Sequence, residues 1–448
     1  MRRSFALLVL VPHLAAADPP KLTLDQVIAR AIANPKVEMA VQDRESADAQ
    51  LSEADAARYP RVKATAFATI SPEIDCTSNV LDPSGKLCLT TEPTNFAFRF
   101  SGLYGTAEID VTQPVYTFGK ISHARSAARA GVDARRALAD EAAGDVAADA
   151  ARAYWGLKLA RELGGMLDDG IEEIEKAKTD FEHKKDASIQ DKQRVAVLLA
   201  EAKVQRADAA QAEVEALAGL RAVTGVPDAD IDDAELAPVD HTLPDARTLD
   251  ADAADHRPQS IAARSGARAA DELAAFATAQ YFPDFALIGS AVISGAQGVA
   301  DPPDAFAYDP YRRTGAGLGV GLSWTIEPWN IKARADRARA DARKSHAESE
   351  LAAIGATLDA ETARAEAAAA HDKVAAAGEG EKAARTWLAA VLQDQAIGTA
   401  EARDLADAYL AWFQMRARWA TAVFDWNVAV VRLGRATGEY RAGASRPR

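Results

Sequence analysis

At 448 residues the chain is long enough for two or three ordinary domains or for one extended structure. A hydrophobic fraction of 48% and a charged fraction of 26% suit a folded protein and exclude a disordered tail. Net charge is −14, from 52 basic and 66 acidic residues, and no segment joins Lys and Arg with aromatics, so no nucleic-acid surface is expected. Alanine supplies roughly a quarter of the residues and aromatics only 6%, which favours long helices meeting through small side chains.

Arg2 and Arg3 precede the apolar run Phe5 to Val11, and Ala15, Ala16 and Ala17 stand before Asp18. A basic start, an apolar run too short to span a membrane and small residues at its end mark a secretory signal, expected over residues 1–17. Beyond it no run of about 18 apolar residues occurs, so no membrane-spanning helix is expected. A helical stretch follows from Leu24 to Ala57, with Thr23 as its N-cap. Val62, Ala64, Ala66, Ala68 and Ile70 then alternate with polar residues as a strand does. Next comes a loop holding the only cysteines, Cys76 and Cys88. In an oxidising compartment a bond between them would contribute about 3 kcal/mol in the entropic account; two free thiols are the alternative. A second alternation runs from Phe96 towards Val111.

From Gly119 to Lys184 there is no proline, and some 65 helical residues would reach roughly 100 Å. Gly164 and Gly165 read as a joint midway. After a break near residue 188, another helix leads to Thr224-Gly225. The acidic, proline-containing segment 227–244 reads as a linker, after which the pattern repeats. Phe285, Leu287, Gly289, Ala291 and Ile293 alternate. So do Ala316, Leu318, Val320, Leu322 and Trp324, against the bare positions Gly315, Gly317, Gly319 and Gly321. A proline-free stretch from Ile331 to Ile397 follows, interrupted by Gly378 and Gly380, and a last helix carries Trp412, Trp419 and Trp426 at heptad spacing before Thr437-Gly438. Asp191 and Asp404 occupy matching places after the two breaks. The expected organisation is therefore a duplication: 18–226, a linker at 227–244, 245–438, and a tail at 439–448.

Each half carries two strands long enough, at ~9–11 residues, to cross an outer membrane when tilted. Four strands cannot close a barrel, because the smallest membrane barrels need about eight. Several copies would have to share one. Enzymatic readings find no support: the seven histidines are scattered without metal-ligand spacing, and no G-x-S-x-G or P-loop occurs. No catalytic residue, metal or cofactor is assigned.

These features together resemble the TolC family of outer-membrane efflux proteins. The residues that carry the likeness are Leu22 to Pro35 (LTLDQVIARAIANP), Gln113 to Gly119 (QPVYTFG), Ala153-Tyr154-Trp155, Thr224-Gly225, Ile397-Gly398-Thr399 with Asp404, and Ala436-Thr437-Gly438. The resemblance implies an α+β, mostly α fold. Duplicated long-helix hairpins would form a trimeric periplasmic α-barrel, and four strands per protomer would contribute to a 12-stranded outer-membrane β-barrel. It implies a homotrimer in outer-membrane lipid, acting as an exit duct with a periplasmic adaptor (membrane fusion) protein and an inner-membrane pump or ABC secretion transporter. The adaptor would dock on two hairpin tips, around Lys185, Asp186, Ala187 and Ser188 and around Ile397, Gly398 and Thr399. Asp404 and Asp407 match the family's aperture aspartates; residues three apart share a helix face, and three copies would ring the pore with carboxylates. Without the resemblance the same two acids read as solvated residues in a helix's first turn. The arginine and tyrosine that close the aperture in the best-known members correspond here to Ala400 and Gln395, which implies a different or looser gate. The other class considered is a non-conducting coiled-coil scaffold of the periplasm or surface.

Overall fold

The computed structural model describes residues 21–72, 100–183, 188–297, 309, 311–397, 399 and 401–440. The expected signal segment, the loop with Cys76 and Cys88, the tip residues Lys185, Asp186, Ala187 and Gly398, and Ala400 lie outside the described residues. Within them the order is β1 (Lys21–Leu22), α1 (Leu24–Ile32), α2 (Pro35–Ala56), β2 (Arg61–Pro72), β3 (Phe100–Tyr116), α3 (Lys120–His183) and α4 (Ile189–Thr224). It continues with β4 (Asp230–Ile231), α5 (Ala246–His256), α6 (Pro258–Ala279), β5 (Asp284–Ala296), β6 (Thr314–Ser323), α7 (Pro328–Ala396) and α8 (Ala402–Ala436). The series α2-β2-β3-α3-α4 thus recurs as α6-β5-β6-α7-α8.

Local chemistry sets the ends of these elements. Thr23 caps α1, its backbone N–H donating to Gln26 Oε1 at 3.1 Å. Pro35, Pro258 and Pro328 open α2, α6 and α7, where a missing N–H costs nothing. Both Thr-Gly pairs are helix stops: Gly225 and Gly438 have φ of 67° and 76°, which only glycine adopts without strain. Between β3 and α3, Phe118 is itself left-handed (φ 50°) and is held by aromatic neighbours, stacking on Phe282 at 5.1 Å and meeting Tyr116 edge-on at 4.7 Å.

Contacts divide the chain crosswise into two compact units, each drawing on both halves of the sequence. One is helical: residues up to Glu45, Asp133–Ser265, and Ala347 onward. The other, Ser46–Val132 with Gly266–His346, holds the sheet and the helix ends that lead into it.

In the helical unit, Val27, Ile28 and Ala31 of α1 pack with Ala143, Ala147, Ala150, Leu157, Leu220 and Val423. A second cluster joins Ile174 and Phe181 of α3, Val195 and Leu199 of α4, and Leu405, Tyr409 and Phe413 of α8. Alanine at so many buried positions lets helix axes approach closely, which is where the unusual alanine content is used.

One expectation needs correction. The glycine pairs are not joints: α3 runs through Gly164 and Gly165, and α7 through Gly378 and Gly380. At Gly380 an added Cβ would overlap the end of the Met415 side chain, and at Gly378 it would lie in ordinary contact with Trp419. These glycines give α8 room to approach α7. The segment 227–244, the expected linker, is attached to the helical unit along its length. β4 pairs in parallel with β1, Trp426 Nε1 donates to Val239 O at 2.9 Å, and Asn427 both donates to Ala237 O and accepts from Val239 N–H.

Asp232 completes this attachment. Lys158, 5% exposed, donates to Asp232 Oδ1 at 2.7 Å and to Ala234 O at 2.8 Å, beneath the rings of Tyr154 and Trp155; Tyr154 donates to Asp232 Oδ2 at 2.7 Å. Burial alone would raise the Asp232 pKa, but the hydrogen bonds from Lys158, Tyr154 and the Ala234 backbone outweigh it and hold it below the usual carboxylate value. Burial together with Asp232 pushes the Tyr154 phenol well above its ordinary value, so it stays a donor.

Asp232→Ala would leave the buried Lys158 charge without a counter-ion and is expected to cost about 3 kcal/mol. Because the folded pKa of Asp232 is depressed, its contribution is present above the unfolded pKa and fades as pH falls through the folded one. Thermal melts should show the gap between wild type and variant at pH 7 and its narrowing in acid.

Candidate functional site

The sheet has the order β2-β3-β5-β6, antiparallel throughout. Directly paired residues share a face, so the register sorts every side chain. One face carries Val62, Ala64, Ala66, Ala68 and Ile70 of β2 and Leu103, Gly105, Ala107, Ile109 and Val111 of β3. It continues with Leu287, Gly289, Ala291 and Ile293 of β5 and with Ala316, Leu318, Val320 and Leu322 of β6. No charged residue falls among these eighteen or so positions. Leu318 and Val320 are 76% and 78% exposed in the single chain.

The opposite face is different in kind. Arg61, Lys63, Thr65 and Thr69 face Thr112, Asp110, Glu108 and Tyr104 across β2 and β3. Ala286, Ile288, Ser290, Val292 and Ser294 follow on β5, and β6 presents Gly315, Gly317, Gly319 and Gly321. Lys63 stands directly opposite Asp110, a cross-strand pair of opposite charge. Strands β2 and β6 are the edges, and each offers one unpaired row of backbone N–H and C=O groups. Water on one face, apolar surroundings on the other and two open edges are the properties of a piece of membrane barrel.

The two hairpin tips belong to the helical unit. At the first, Ser188 caps α4: Asp191 N–H donates to Ser188 Oγ at 3.1 Å, and Lys192 donates to Glu182 O across the hairpin at 3.2 Å. At the second, Thr399 N–H and Oγ1 both donate to Asp394 O, at 3.0 and 3.1 Å, closing the end of α7. Ile189 and Ile397 are 80% and 71% exposed. Asp404 lies in the first turn of α8, where a carboxylate suits the helix dipole.

Asp404 and Asp407 are both exposed, while Leu405, Ala408 and Tyr409 turn into the core. Burial pushes the Tyr409 phenol up to about 12, so the apolar side of this turn stays neutral. Asp407 Oδ2 has Arg403 Nε at 3.6 Å, an exposed pair of small energetic weight. The structure thus places the two aspartates on one solvent-facing stripe beside the second tip. Among the described residues no group of three or more His, Cys, Asp or Glu is placed to hold a metal. Among the described residues no helix is long and apolar enough to cross a membrane.

Sequence reasoning found the apolar alternation but not the charges of the other face. Arg61, Lys63, Glu108 and Asp110 become one surface only once the register is known.

Arg placed at Leu318 or Val320 should cost about 2–4 kcal/mol if that position meets the middle of a bilayer, and should deplete the protein from outer membranes. Gly319→Ser, on the other face, should leave its abundance unchanged. Immunoblots of fractionated membranes check both.

Three comparisons bear on this geometry. The family model described as "Outer membrane efflux protein" matches residues 251–439. No curated protein sequence matches the chain. Among solved structures, the outer-membrane channel OprN is similar at 19% identity and TM-score 0.75, covering 93% of this chain and 89% of that one. The Campylobacter jejuni CmeC outer membrane channel is similar at 14% identity and TM-score 0.74, covering 97% and 92%. The Neisseria gonorrhoeae MtrE outer membrane channel, solved in its open state, is similar at 19% identity and TM-score 0.74, covering 93% and 88%. The family model thus matches the second sequence half, and the fold of these outer-membrane channels is shared along nearly the whole chain.

Proposed function

We propose that three copies of this chain form a passive exit duct of a tripartite efflux or type I secretion system. The observation that carries this reading is the sheet, apolar and uncharged on one face, polar on the other and open at both edges. Joining β6 of each copy to β2 of the next would satisfy every edge and give twelve strands, above the minimum of about eight for a membrane barrel. The apolar face would then meet lipid and the face with Arg61, Lys63, Glu108 and Asp110 would line the water-filled lumen.

The helical unit would continue the duct through the periplasm. Exposed apolar side chains support this: Leu351, Ile354 and Leu358 recur at helical spacing on α7, and Val197 and Val204 on α4, as seams for a neighbouring copy. The tips at Ser188–Ile189 and Ile397–Thr399 would receive a periplasmic adaptor, and a pump or transporter of the inner membrane would supply the energy. Asp404 and Asp407, repeated in three copies, would form an acidic constriction that admits cations in preference to anions.

Single-channel recording in planar bilayers tests the reading. Purified protein should conduct with cation selectivity, and replacing both Asp404 and Asp407 by Asn should lower the cation-to-anion permeability ratio severalfold, by roughly the loss of six charges from a narrow pore. Unchanged selectivity would remove the aspartates from the constriction. No conductance at all would leave the scaffold reading. Gln395→Tyr combined with Ala400→Arg should reduce closed-state current if the native gate is looser.

A further inference from the structure

We propose that the polar face of the sheet carries a binding pocket for anionic amphiphiles, molecules with a compact aromatic or aliphatic body and one carboxylate or sulfonate. The proposal rests on the duct reading only in making this face the lumen wall. Where β5 and β6 approach the start of α3, the structure forms an open-sided hollow of about 350 Å³. That lies within the ~300–1,000 Å³ range of small-molecule sites. Pro114, Ile121, Ala286 and Ile288 form its apolar walls.

This is an apolar hollow on the face that also carries Arg61, Lys63, Glu108 and Asp110, and water within it gains little from its walls. Gly321 helps to keep it open: a Cβ on that residue would overlap the Ile288 side chain, which now lies back against β6.

Two cations line the pocket, and only one is spent on structure. Lys120 Nζ donates to Asp284 Oδ1 and to Phe282 O, both at 2.9 Å, which fixes α3 to the start of β5. Arg61 makes no ion pair among the described residues and is exposed at the pocket's edge. Its cross-strand partner is the neutral Thr112, and the nearest acid along β3, Asp110, stands opposite Lys63. In a shared barrel β2 would meet β6, whose positions on this face are glycine from 315 to 321 and bring no acid. An unpaired guanidinium beside an apolar hollow, in a chain of net charge −14, selects an anion with an apolar body.

The test is titration calorimetry of the full protein in lipid nanodiscs with 2-naphthoate, with 2-naphthalenemethanol as the neutral analogue and empty nanodiscs as the blank. Wild type should bind naphthoate saturably with Kd below about 1 mM. Arg61→Gln should weaken naphthoate by about tenfold or more, the worth of one charge-assisted contact, and leave the neutral analogue unaffected. Ala286→Phe, which fills the hollow, should abolish binding of both. If that variant fails to assemble, Arg61→Gln with the two probes decides alone. Binding that matches the empty nanodiscs, or that is equal in wild type and Arg61→Gln, overturns the pocket. Bilayer conductance of the same samples separates the two readings: a conducting protein without saturable binding refutes the pocket and keeps the duct, whereas a binding protein without conductance does the reverse.

Discussion

The four-stranded sheet cannot be completed within one chain, and most of the molecule's behaviour follows from that. Its two edge strands leave backbone groups unpaired, and one whole face is apolar and exposed. In water each edge is a template for aggregation and the face is a hydrophobic patch. In a bilayer the face is at rest, but an unpaired backbone group is then intolerable, so the edges must be joined. Both demands are met together only when several chains close one barrel. The bare glycine row on β6 fits the same proposal, because on the lumen side of such a barrel it would leave width.

The helical unit solves a different problem, how to hold very long helices in register when few bulky side chains are available. Alanine permits close approach but gives little shape to lock against. Register comes instead from a few specific contacts. Gly378 and Gly380 receive Trp419 and Met415 of α8, and Asn427 and Trp426 pin the segment 227–244 through its backbone. Lys158, almost wholly buried, ties that segment to α3 through Asp232. Since 227–244 joins the two sequence halves, this attachment also fixes the first half's helices to the second's within the one compact unit.

Much of this was readable from the sequence where a long, regular pattern existed. The alternation at Val62–Ile70 and Ala316–Trp324 marked strands that the structure contains, and the proline-free stretches after Gly119 and before Ile397 are the unbroken helices α3 and α7. What could not be read depended on partners distant in sequence. Gly378 and Gly380 looked like a break because a lone glycine weakens a helix, yet their use is decided by side chains on α8. The two-residue pairing of β1 with β4 is too short to leave any periodicity. Nothing in the spacing of Lys158 along α3 distinguishes it from a surface lysine; its partner Asp232 lies 74 residues away. For the candidate site, Asp404 and Asp407 could be placed on one stripe by their spacing of three, but the pairing of Asp407 with Arg403 and the charge pattern of the sheet's polar face needed coordinates.

The claim on which all of this turns is that the barrel is shared. Light scattering on the protein extracted by detergent from outer membranes, with the bound detergent subtracted, measures it most directly. The account predicts a protein mass near three chains and no release from the membrane without detergent. A monomer, or a protein that washes off in buffer, would contradict it and leave the apolar face of β2, β3, β5 and β6 to be explained by another partner.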